Sequence, residues 1–201
     1  RESRGLKRVF FKWIFLQLPV KNCRFVTTIS EKSKNEILQY TGCDPSKVIV
    51  IPNPVNSYIY YREKAFNAAS PVLLFIGSTP NKNLERIILA ISGMNCTLEI
   101  VGRIPEEHLS LLKKHKIRFS RFSGLSEGEM ADRYAASDVV VFPSLYEGFG
   151  LPIIEGQKAG RIVLTSDISP MKEVAGNGAC LVNHLETDPI RSALKQIMED
   201  P

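Results

Sequence analysis

The chain has 201 residues, 44% of them hydrophobic, which is enough for a sizeable core and for one domain or a domain with part of another. Its four cysteines (Cys23, Cys43, Cys96, Cys180) show no CxxC spacing and its three histidines (His108, His115, His184) no HxxxH or HExxH, so neither a metal site nor a disulfide framework is expected and the thiols read as reduced and intracellular. The net charge of +5 is uneven: residues 1–34 hold nine Lys/Arg against two acids, a net +7, leaving seventeen against nineteen, or −2, for the rest, which disfavours a nucleic-acid-binding surface over the main domain.

The sequence begins without Met, shows no secretory signal pattern and contains no run of 18 apolar residues, so a cytoplasmic protein or a fragment of one is expected. Residues 5–18 (GLKRVFFKWIFLQL) form an apolar, aromatic segment with Lys7, Arg8 and Lys12 interleaved, expected to be helical and too short to span a bilayer. It suits either an anionic membrane surface or a core whose partner lies outside the chain, and apolar residues on so many faces favour the second. Residues 24–29 predict a strand, Ser30 an N-cap for a helix to about Tyr40, Gly42 its stop, and Val48 to Ile51 a further strand closed by Pro52-Asn53-Pro54.

Residues 56–70 lack periodicity and are expected to form a linker, with Tyr58, Tyr60 and Tyr61 packing locally. From Pro71 strand and helix alternate. PVLLFIG precedes a helix to Ile91, TLEIVG precedes a helix from Pro105 to His115, and IRFSRF precedes a helix from Ser126, whose Ser126-x-x-Glu129 is a capping box. VVVFP, RIVLTS and GACLV follow, leading to helices at Pro152, Pro170 and Pro189. The alternation predicts an α/β unit, a Rossmann-like parallel sheet with helices on both faces.

Neither GxGxxG nor GxxxxGK[ST] occurs, which weakens an NAD enzyme or an NTPase. Four loops are left at carboxyl ends of predicted strands: 77–83, 102–104, 123–126 and 144–151. The first precedes a helix and carries Lys82, a point charge suited to a diphosphate. Gly102 would let a ligand approach the chain, although a lone Gly after a strand is more often plain turn chemistry. Leu125 would cover a flat base or staple the entry of a helix. Glu147 lies in the last loop and Glu155 in what is expected to be the first turn of the next helix, so that both can face one pocket. An unpaired carboxylate in that apolar helix would be costly unless exposed or bonded to a ligand or partner.

The run SLYEGFGLPIIEGQKAG, with Glu147, seven residues and Glu155, resembles the EX7E motif of the retaining group 1 (family four) glycosyltransferases, which have the GT-B fold. IGSTPNKNL at 76–84, VGR at 101–103, FSGLS at 122–126, YAASD at 134–138 and ISPMKEV at 168–174 fall in that family's order. TTISEKSKNEI and KVIVIPNPV resemble the end of its N-terminal domain and the interdomain linker.

The resemblance implies a C-terminal half of a GT-B fold, with residues 1–55 the remnant of an acceptor domain plus linker and 56–201 the donor-binding domain. It implies transfer of a sugar from a nucleoside-diphosphate sugar, such as a UDP- or GDP-sugar, to a carbohydrate or lipid-linked acceptor with retention, without a metal. By position, Glu147 would contact sugar hydroxyls and Glu155 the ribose. The N–H groups of Gly148, Phe149, Gly150 and Leu151 would meet the sugar or distal phosphate, Lys82 with Gly77 and Ser78 the diphosphate, and Gly102 with Leu125 the base. Glu147 and Lys82 would be the catalytic pair, acting by electrostatic stabilisation of the departing diphosphate. Ser78 stands where many members have Arg, which shifts neutralisation toward Lys82 with Arg103 as helper. The chain, holding only about the last 50 residues of the first domain, is expected to bind donor without turning over. A non-catalytic nucleotide-sugar or partner-binding module, or a sugar-nucleotide epimerase of the same fold, are the alternatives.

Overall fold

The computed structural model describes residues 10, 11 and 13–201, so Lys7, Arg8 and Lys12 of the expected basic helix lie outside the described residues. The chain divides into two compact units, one ending at Asn53 and the other running from Pro54 to Pro201.

In the first unit a π-helical turn, Trp13–Gln17, continues into α1 (Leu18–Asn22). β1 (Val26–Thr28) and β2 (Val48–Val50) pair in parallel around α2 (Glu31–Thr41). The ends of α2 are fixed by side-chain chemistry. Ser30 Oγ accepts from the Ser33 N–H at 3.1 Å, and Gly42 takes the left-handed conformation at φ 66°.

The second unit is a six-stranded, all-parallel sheet. Its strands are β3 (Val72–Ile76), β4 (Thr97–Val101), β5 (Arg118–Phe122), β6 (Val139–Phe142), β7 (Ile162–Ser166) and β8 (Cys180–Val182), in the spatial order β5-β4-β3-β6-β7-β8. The connecting helices are α3 (Leu84–Ile91), α4 (Glu106–Lys114), α5 (Glu127–Ala136), α6 (Leu151–Lys158) and α7 (Met171–Ala175), with α8 (Thr187–Glu199) after the last strand.

Strand side chains alternate between two cores. Leu73, Phe75, Val139, Val141 and Leu164 pack with α3, α4 and α8, whereas Leu74, Val140, Phe142 and Val163 pack with α5, α6 and α7. Both faces are thus covered, which is why β6 reads as four consecutive apolar residues and not as an alternation. The Rossmann-like parallel sheet expected from the alternation is the fold observed.

The boundaries differ slightly from the sequence expectation. α6 begins at Leu151 and α8 at Thr187, so Pro152 and Pro189 lie inside their first turns, where Pro costs nothing because those N–H groups have no helical acceptor. Glu155 consequently falls in the second turn of α6 and not its first. Ser126 and Glu129 form the full capping box. α6 lies close on the sheet because Gly156 has no side chain: a Cβ there would come within 2.9 Å of Val140 and Val163.

Residues 54–70 have no regular structure, yet they are an integral part of the second unit. Ile59 is buried in the core with Leu74, Tyr134 and Phe142. The Tyr61 ring occupies the space over Gly160, where a Cβ would lie 2.5 Å from it. Arg62 pairs with Asp132 at 2.7 Å, and the buried Arg161 donates to the Arg62 carbonyl. Asp138, 4% exposed, accepts from Lys64 Nζ, from the Asn67 N–H at 3.2 Å and from the Val72 N–H at 2.7 Å. A carboxylate at the head of β6 therefore fastens this strap to the head of β3.

Candidate functional site

In a doubly wound sheet the crevice lies where the strand order reverses, outside the carboxyl ends of the two central strands. Here those strands are β3 and β6. The loop after β3 carries Lys82 and the loop after β6 carries Glu147, and the two side chains meet: Lys82 Nζ lies 2.6 Å from Glu147 Oε1, with 20% and 14% of each side chain exposed. The ammonium also lies 4.6 Å from the centroid of the Phe142 ring at the end of β6. Gly77 makes room for this arrangement, because a Cβ there would approach Lys82 Cγ to 2.5 Å.

The two loops are stitched together by backbone and amide groups. Leu145 N–H donates to the Asn81 carbonyl at 2.7 Å, and Asn81 Nδ2 donates to the Tyr146 carbonyl at 2.9 Å and to Glu147 Oε1 at 3.3 Å. Asn83, 4% exposed and left-handed at φ 67°, donates to the Pro143 and His184 carbonyls. Asn81 and Asn83 were not among the residues singled out from the sequence. An Asn entering a helix is ordinary turn chemistry, and only its tertiary partners set it apart.

Gly102 approaches the first loop so closely that a Cβ would lie 2.7 Å from the Gly77 carbonyl oxygen. Gly77, Ser78 and Arg103 line a small cavity of about 10 Å³ together with His108, whose Nδ1 is buried and has no hydrogen-bond partner among the described residues. A larger cleft of about 390 Å³ opens beyond β4 and β5, lined by Gly102, Arg103, Ile104, Arg121, Phe122 and Ser123. Arg121 and Phe122 were missed by the sequence reading, and Leu125, expected to cover a base, is not among the lining residues. Leu125 is half-buried just before the α5 capping box.

Gly148 and Glu147 are half-buried, Phe149 and Gly150 buried. Gly150 is left-handed at φ 110° and no side chain caps α6 among the described residues; Pro152 has no N–H and the Ile153 N–H donates to the Gly150 carbonyl at 3.0 Å. Glu155 is held separately from the Lys82–Glu147 pair. It is 7% exposed, Oε1 accepts from Asn56 Nδ2 at 2.5 Å and Oε2 accepts from the Tyr134 hydroxyl at 2.6 Å. Burial, with the Glu155 charge beside it, raises the Tyr134 hydroxyl well above the ordinary tyrosine range, and the same two causes raise Tyr58. Tyr134 therefore remains a donor at any physiological pH.

Among the described residues no three of His, Cys, Asp and Glu converge as metal ligands, all four cysteines are free, and no helix is long and apolar enough to cross a membrane.

A cation and a carboxylate thus meet at the switch point of a doubly wound, Rossmann-like α/β unit. The chain belongs to the glycosyl transferases group 1, the family matched by residues 70–200. It is 29% identical over 206 residues to the O-antigen chain mannosyltransferase RfbU of Salmonella typhimurium, covering 98% of this chain and 57% of that protein. In structure it resembles the sucrose-phosphate synthase of Thermosynechococcus elongatus (TM-score 0.81, 21% identity, 97% of this chain and 53% of the other). It also resembles the Anabaena protein HepE in complex with UDP and glucose (TM-score 0.80, 18% identity, 94% and 57%). The chain thus spans about half the length of the proteins it matches.

Proposed function

We propose that residues 54–201 form the donor-binding unit of a retaining glycosyltransferase, which moves a sugar from a nucleoside-diphosphate sugar to a carbohydrate or lipid-linked acceptor during polysaccharide, lipopolysaccharide or glycolipid assembly. The observation that carries this is the Lys82–Glu147 pair at the switch point, 2.6 Å apart. A cation there suits a diphosphate, and a carboxylate beside it suits sugar hydroxyls.

In this reading Lys82 stabilises the charge that grows on the leaving diphosphate, assisted by Arg103 and the N–H groups of Gly148 to Leu151. These cations of the chain take the part a metal ion has elsewhere. Glu147 orients the sugar, Glu155 holds the ribose, and the base lies along Gly102 in the cleft with Arg121 and Phe122. The relatives support the reading: one is a mannosyltransferase, and another binds UDP and glucose in its crystal structure. The unit binds donor, while the acceptor belongs to the part of the whole protein that this chain lacks relative to them.

Calorimetric titration with UDP and with GDP up to millimolar concentration tests the donor site. Saturable heat with one of the two is expected. No heat with either overturns the assignment.

We further propose that the whole protein works in the cytoplasm at the inner face of a membrane, which residues 5–18 touch. Phe10, Phe11, Trp13 and Phe15 are 54–70% exposed on the first unit, and the sequence around them is basic. Pelleting with anionic liposomes is expected, falling as salt rises. Pelleting indifferent to salt and lipid charge would count against it.

A further inference from the structure

The Glu155 carboxylate is buried, yet among the described residues no Lys or Arg pairs with it. A buried charge normally requires a partner of opposite sign or a full set of hydrogen bonds. Glu155 instead receives one neutral donor on each oxygen, Asn56 Nδ2 at 2.5 Å and the Tyr134 hydroxyl at 2.6 Å. The difference matters chemically. A cation would neutralise the group, whereas two neutral donors fix its orientation and leave its charge intact. An ionised carboxylate offers about four acceptor positions, so roughly two remain after these bonds. A ribose diol presents two donors.

Both partners are themselves immobilised. Tyr134 is fully buried in α5. Asn56 belongs to the strap, which Ile59 anchors in the core, and its own carbonyl accepts from Lys158 Nζ at 3.0 Å. Its amide can face a carboxylate oxygen only through Nδ2, since the opposite flip would set two oxygens against each other.

We propose that Asn56 and Tyr134 are positioning residues that hold Glu155 for the ribose, so that the preference of the site for ribonucleotide over deoxyribonucleotide depends on the strap. This rests on the reading of Glu155 as the ribose ligand. Affinities of the protein for UDP and GDP, each compared with its 2′-deoxy and 3′-deoxy analogue, test it. A hydrogen bond to a charged acceptor is lost in each deoxy analogue, so a preference of about tenfold or more for the ribonucleotide is expected in the unaltered protein.

Glu155→Gln should abolish that preference. Asn56→Ala and Tyr134→Phe should each reduce it by about threefold or more, chiefly through weaker ribonucleotide binding. Tyr134→Phe keeps the buried ring, and thermal melting of every variant reports on folding. If Asn56→Ala and Tyr134→Phe lower the melting temperature but leave the preference intact while Glu155→Gln abolishes it, the two residues are merely structural and the proposal falls. If Glu155→Gln leaves the preference unchanged, the ribose assignment falls and takes the proposal with it.

Discussion

Lys82→Ala is expected to weaken binding of UDP or GDP about thirtyfold, the effect of removing roughly 2 kcal/mol of charge-assisted hydrogen bonding, while leaving the bare nucleoside almost unaffected. The asymmetry follows from the geometry. The Lys82 ammonium spends one of its three donors on Glu147 and lies against the face of Phe142, only a fifth of the side chain exposed, so its charge is poorly screened by solvent. The stem passes beside Gly77, which confines the head group to the crevice between β3 and β6. Calorimetry with diphosphate and nucleoside in parallel checks the prediction. Equal losses for both would mean that Lys82 supports the pocket and does not contact phosphate.

The largest effect on stability is expected at the opposite edge of the sheet. Asp138→Ala should cost about 3–5 kcal/mol, because it strands the partners of a buried ion pair. The Asp138 side chain is 1% exposed, and the Asn67 and Val72 N–H groups as well as Lys64 depend on it. Lys64→Ala should cost less, since that side chain is 25% exposed and its removal leaves the two N–H donors to share the carboxylate. Urea denaturation measures both, with the midpoint falling and the slope unchanged. A loss below about 1 kcal/mol for Asp138→Ala would show that water replaces the carboxylate and that Ile59, Tyr61 and Arg62 suffice to hold the strap.

Much of this architecture was legible before the structure. β3, β4 and β6 announce themselves as apolar runs, and Ser30, Gly42, Ser126 and Glu129 mark helix ends through local chemistry that depends on a few neighbouring residues. Lys82 and Glu147 were legible as well, since their loops follow predicted strands and the order of the strands brings those loops to one edge. Asn56, Asn81, Asn83 and Tyr134 were not. Their importance depends on partners 21 to 101 positions away in the sequence, and no periodicity records a hydrogen bond of that reach. Residues 56–70 read as a linker for the same reason: irregular backbone has no repeating pattern, and only the tertiary partners of Ile59, Tyr61 and Lys64 reveal that it is packed. Arg121 and Phe122 were passed over because they end a strand and so read as sheet, although the end of an edge strand also forms the wall of a cleft.

The strap bears on how members of this family could be recombined. A hybrid joined at Pro71, where the regular alternation begins, would replace Asn56, Ile59, Tyr61 and Lys64 with residues fitted to a different sheet, uncoupling Glu155 and opening the space above Gly160. A junction between Asn53 and Pro54 keeps the strap with the strands it fastens. The sheet, the strap and Glu155 are then inherited as one piece of about 150 residues, a size at which a domain buries enough surface to stand alone.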